Sequence, residues 1–105
     1  MIKARYTAEG GKHTLSIKGH ANYGENGKDI VCAGVSALVQ ALMEWVENNP
    51  YTADCVTIDD RTGEIIIACE GGEDVSAVFE MATIGLGQIS RAYPDHSLYI
   101  SEIAE

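Results

Sequence analysis

The sequence predicts an α+β fold: a two-layer domain in which two helices cover one side of a mainly antiparallel sheet, in the order ββαββαβ. Three observations carry that reading. Short runs alternate apolar and polar residues about glycine-bearing turns, the mark of half-buried strands in hairpins. Two longer runs switch to helical spacing. Each of the long runs stops at a proline, which cannot continue a helix. The 105 residues read as one domain, residues 1–105, a size that buries roughly two-thirds of its unfolded surface without staples.

The elements follow in order. "IKARYTA" alternates Ile2, Ala4 and Tyr6 with Lys3, Arg5 and Thr7, and "EGGK" supplies a turn. "HTLSIKGH" then sends Leu15 and Ile17 one way and Thr14, Ser16 and Lys18 the other, closing a first hairpin. From Ile30 to about Asn48 the residues Val31, Val35, Leu38, Leu42, Trp45 and Val46 fall on one helical face, with Asp29 as N-cap and "ENNPY" as the stop. "DCVTID" and "EIIIAC", joined by "DRTG", form a second hairpin. "GGED" opens a second helix carrying Val75, Val78, Phe79, Ala82, Leu86, Ile89 and Tyr93 up to Pro94. Gly85 and Gly87 weaken its second half by about 1 kcal/mol each relative to alanine. "SLYISEI" is the last strand.

Charge and cysteines narrow the function classes. Seven basic against 16 acidic residues give a net charge of -9, which repels phosphate backbones and argues against direct nucleic-acid binding. The same charge favours encounter with a basic partner. No run approaches the roughly 18 apolar residues of a membrane span, and "MIKARYTAEGG" lacks the apolar core of a signal peptide, so a cytoplasmic location with no membrane partner is expected. Three cysteines cannot all pair within one chain, and in a reducing compartment they are thiols. Cys55 and Cys69 lie in predicted strands as a buried pair. His13 follows a turn and His96 follows Pro94-Asp95, and both are expected to be exposed. The acidic pairs Asp59-Asp60 and Glu73-Asp74 read as turn and cap residues.

The chemistry concentrates in "GHANYGENGKDIVCAG", residues 19–34. His20 stands where a strand ends and Cys32 where a helix begins, with a glycine-bearing loop between. Unpaired N–H groups and the positive end of a helix dipole stabilise a thiolate in the first turn. The same N–H groups can donate to a developing oxyanion. Asp29 acts against the thiolate, and a cationic His20 offsets it. Cys32 and Ser36 share a face apart from the core stripe. Gly24 and Gly27 suit a flap that orders over substrate. The run matches neither a phosphate-binding loop nor a dinucleotide fingerprint. A first-turn cysteine can also be a small buried hydrophobe, which leaves a non-enzymatic binding module as the alternative; a His/Cys zinc site is the third.

"GHANYGENGKDIVCAGVSAL" closely resembles the signature of the ribosomal-processing cysteine protease family, Prp, in which a G-H-A strand end precedes a glycine-bearing loop and a D-I-V-C-A helix start. Gly34 departs from it, standing where alanine is more usual. The resemblance extends over the whole length and order of elements. It implies a homodimeric cysteine endopeptidase that needs no cofactor or metal. The implied substrate is the N-terminal extension of a basic large-subunit ribosomal protein, cut after paired aromatic residues and before a small one. It carries the catalytic histidine to His20 and the nucleophile to Cys32. Substrate contacts carry over to Ala21, Tyr23, Gly24, Gly27, Asp29 and Ser36. Asn22, Asp29 and Ser36 remain open as partners that orient His20. Without catalysis, the same likeness implies a module that binds a ribosomal protein or an assembly intermediate.

Overall fold

The structure is a computed structural model that describes residues 1–25, 29–48, 56–59 and 63–104. Its elements are β1 (Ile2–Glu9), β2 (Lys12–Lys18), α1 (Ile30–Asn48), β3 (Val56–Asp59), β4 (Glu64–Glu70), α2 (Glu73–Ala92) and β5 (Ser97–Ala104). The sheet runs β3-β4-β2-β1-β5. Three of its pairings are antiparallel and one, β1 with β5, is parallel. The predicted α+β order ββαββαβ is therefore the observed one.

Register places one apolar face under the helices. Tyr6 lies opposite Leu15, Ala4 opposite Ile17, and Leu15 opposite Ile67. A slip of one residue would turn this whole set to solvent. Val31, Val35, Val39, Leu42 and Val46 of α1 and Val75, Phe79, Ala82 and Leu86 of α2 complete the core. The other face of the sheet carries Lys3, Arg5 and Lys18 with Leu98 and Ile100, all exposed. There Arg5 meets Glu102 at 2.7 Å, an exposed pair that contributes little to stability.

Four sequence expectations change. Val39, not Leu38 or Trp45, fills the centre of the α1 stripe; the latter two are half-buried. Leu38 instead reaches α2 at Gly85, where an added Cβ would lie 2.7 Å from its Cδ1. Gly85 thus sets the spacing between helices, and α2 continues unbroken to Ala92 because packing outweighs propensity. By length and composition α1 does meet the criterion for a membrane span, but its valine stripe is buried on the sheet. His13, expected at the surface, is buried: it follows the inward phase of β2 and packs with Tyr6 and Phe79 in a cluster of three mutually contacting rings. Cys69 is buried as predicted, whereas Cys55, Pro50 and the turn at 60–62 lie outside the described residues.

Candidate active site

Asp29 organises the start of α1. Its backbone carbonyl accepts from Ala33 N–H at 3.0 Å, and its Oδ1 accepts from the N–H groups of Val31 and Cys32, both at 3.0 Å. Its Oδ2 accepts from Tyr23 N–H at 2.9 Å and Gly24 N–H at 3.3 Å. One carboxylate therefore caps the helix and ties the preceding loop to it. These N–H groups, that of Cys32 foremost, hold the Asp29 carboxyl below its usual range. The expectation that N–H groups at the helix start stand free for an oxyanion is corrected here: those of Val31 and Cys32 are taken by Asp29.

A different backbone donor faces the thiol. Ala21 N–H points at Cys32 Sγ, 3.4 Å away. The segment that delivers it leaves β2 through Gly19, whose φ of 99° is one that only glycine adopts freely. A Cβ at Gly19 would also collide with the Met1 carbonyl oxygen. Ala21 is buried, while His20 beside it is exposed. Asn22 then turns the chain with a left-handed φ of 54°, which asparagine tolerates better than most residues.

His20 and Cys32 open onto one cavity of about 540 Å³, whose wall also includes Asn22, Gly24, Asp29, Ala33 and Ser36. A smaller cavity of about 200 Å³ shares His20, Cys32 and Ser36 and continues between Ile2, Ile17, Val35, Val39 and Ile65. A peptide carbonyl over Cys32 would thus have open space on one side and an apolar recess on the other. Of the residues singled out from sequence, His20, Gly24, Asp29, Cys32 and Ser36 come together on the larger wall. Ala21 lies behind it with its N–H on the sulfur. Tyr23 turns away and packs edge-on against Tyr93 and His96, with both ring centroids 5.1 Å away. Gly27 lies outside the described residues.

His96 escaped the sequence reading. Expected to be exposed, it is half-buried, and its Nδ1–H donates to the Ala21 carbonyl at 2.8 Å. The two residues are 75 positions apart, and no spacing rule links them. Gly34, the departure from the family signature, faces Ile89 of α2, which an added Cβ would approach to 3.3 Å. It belongs to helix packing rather than to the cavity wall.

Residues 1–98 match the family model of cysteine protease Prp. The ribosomal processing cysteine protease Prp of Mycoplasma genitalium is 29% identical over 99 residues, covering 87% of this chain and 90% of the relative. The namesake from Mycoplasma pneumoniae is 43% identical over 37 residues, 35% of this chain and 37% of its own. A crystal structure from Streptococcus mutans aligns with a TM-score of 0.78 at 25% identity over 99% of this chain and 96% of that one. The essential ribosomal processing protease Prp of S. aureus, solved with a covalently linked product peptide, aligns with a TM-score of 0.84 at 24% identity over 97% and 100%. At that identity the S. aureus likeness is one of fold. The strand-end histidine and the helix-start cysteine both fall within the matched stretch, and the chain belongs to the cysteine protease Prp family.

Proposed function

We propose that this chain is a cysteine endopeptidase that removes a short N-terminal extension from a large-subunit ribosomal protein, with Cys32 as nucleophile and His20 as its acid–base partner. One observation supports the assignment: the Ala21 N–H is aimed at Cys32 Sγ, beside a histidine on the same cavity wall. The Cys32 thiolate attacks the scissile carbonyl, and the electron pair moves onto the carbonyl oxygen. His20 protonates the departing amine as the tetrahedral intermediate collapses to a thioester. Neutral His20 then deprotonates a water that attacks the thioester, which releases the acid product and restores the Cys32 thiolate beside protonated His20. Ala21 N–H, released from the sulfur as the new C–S bond draws the electron pair away, is a backbone donor beside the developing oxyanion. The net charge of -9 supports capture of a basic ribosomal segment. With such a substrate, we propose a cytoplasmic location as well.

The test is a peptide spanning a paired-aromatic/alanine junction. Wild type is expected to cleave it, while Cys32→Ala and His20→Ala each lose nearly all activity. Because the two residues act as one unit, the double variant should be little worse than either single one. Cys32→Ala should still bind the peptide, since it removes one sulfur atom and leaves the walls standing. A wild type that binds its cognate sequence without cutting it establishes a binding module instead.

A further inference from the structure

The geometry points to His96 as a positioning residue for the Cys32 site; this rests on the dyad reading above. Its own place is tightly set. Tyr93 N–H closes α2 on the Ile89 carbonyl at 2.8 Å, and the N–H groups of His96 and Ser97 both return to the Tyr93 carbonyl at 3.0 Å. The His96 carbonyl accepts from Ile2 N–H at 2.9 Å. The imidazole therefore hangs from a turn anchored to both α2 and β1. From there Nδ1–H reaches the Ala21 carbonyl at 2.8 Å, and the ring stands edge-on to Tyr23, with an interplanar angle of 87°.

Ala21 is where this matters. Its carbonyl is held by His96 and its N–H points at Cys32 Sγ, so the residue is clamped from two sides. His20 precedes it in sequence and has an exposed side chain. With Gly19 confined beside Met1 and Ala21 clamped by His96, the backbone that carries the catalytic imidazole is fixed on both flanks. Releasing the Ala21 carbonyl lets the peptide rock, lengthening the Ala21 N–H contact to the sulfur and loosening His20 together with it. Displacements of this kind reduce turnover even where binding is retained.

The experiment compares wild type with His96→Ala, His96→Asn and His96→Gln. It follows the pH profile of Cys32 alkylation by iodoacetamide, mapped by peptide mass, alongside cleavage of the junction peptide. An asparagine amide places a donor near the position of Nδ1; a glutamine amide carries it one bond too far. In His96→Ala and His96→Gln the alkylation profile is expected to move to higher pH by about one unit, the size of one hydrogen bond to a charged group. kcat should fall about tenfold on the same basis, with KM little changed. His96→Asn should restore both readouts. Melting followed by circular dichroism identifies any variant that fails to fold, and the folded pair His96→Asn and His96→Gln then decides the question alone. Profiles that overlay wild type in His96→Ala or His96→Gln, or a His96→Asn no better than His96→Gln, overturn the assignment. A wild-type Cys32 that shows no selective alkylation, or a Cys32→Ala protein that still cuts, overturns the dyad reading itself, an outcome distinct from failure of the His96 variants alone.

Discussion

A histidine packs among aromatic rings at each end of β2, and the two clusters have opposite characters. At the start of the strand, His13 stacks on Tyr6 and Phe79 with ring centroids 6.1 and 5.4 Å away, and its Nδ1 is 2.6 Å from the Tyr6 hydroxyl. All three residues are buried. Beyond the end of the strand, His96 meets Tyr23, which is 45% exposed, and its ring nitrogen bonds a loop carbonyl. The first cluster is built into the sheet–helix core and holds the fold together. The second lies on the surface and holds one loop in place. Similar residue types thus serve stability or positioning according to how much apolar area surrounds them and whether the bonded partner is a side chain of the core or a backbone group of a loop.

The largest expected effect separates the two clusters by truncation. Phe79 is fully buried, so Phe79→Ala should destabilise the protein by about 3–5 kcal/mol. Tyr23→Ala removes a partly exposed ring and should stay within about 1 kcal/mol of wild type while slowing peptide cleavage. Urea unfolding and peptide turnover measured on both variants would erase the contrast if Tyr23→Ala proved as unstable as Phe79→Ala.

Acid should act on the buried cluster more than on the exposed one. Burial holds the His13 imidazole below its ordinary value, so the unfolded chain binds the proton more readily than the folded one. The stability that neutral His13 contributes is full above the unfolded value of about 6.5 and declines as the pH falls below it. Tyr6 is pushed up by burial first, then by Tyr99 and Glu80, so its contribution is lost as the pH rises past about 10. The His96–Ala21 bond is donated by Nδ1–H, which neutral and cationic imidazole can both supply. Tm measured from pH 7 to 5 should therefore fall in wild type. In the double variant Tyr6→Phe, His13→Leu, which removes both polar partners together, the curve should flatten. An unchanged slope would place the acid sensitivity elsewhere.

The smallest expected effect concerns two glycines of α2. Gly87→Ala introduces a methyl in ordinary contact with Tyr99 and Arg91 and should stabilise the helix by up to about 1 kcal/mol. Gly85→Ala must displace Leu38 and should return little or none of that gain. Thermal melts of the two variants side by side measure the difference.

Periodicity determined most of this fold. Alternation in β1 and β2, the helical spacing from Ile30 to Asn48, and the stop at Pro94 are local signals, because a residue's face in a strand or helix follows from its offset along the chain. The same locality made Asp29, Cys32 and His20 legible: a cap and the residues beside it are neighbours in sequence. His13 follows a turn, yet it is buried because it shares the inward phase of Leu15 and Ile17. What only the tertiary structure decided is which backbone groups are free and which are held. The carboxylate of Asp29 occupies the N–H groups of Val31 and Cys32, and the donor facing the sulfur comes from Ala21 instead. Ala21 is in turn held by His96, 75 residues away, in a turn that the parallel pairing of β1 with β5 brings beside the end of β2. Hydrogen-bond partners are assigned by proximity in space, and spacing along a chain carries no record of it once the sheet has closed.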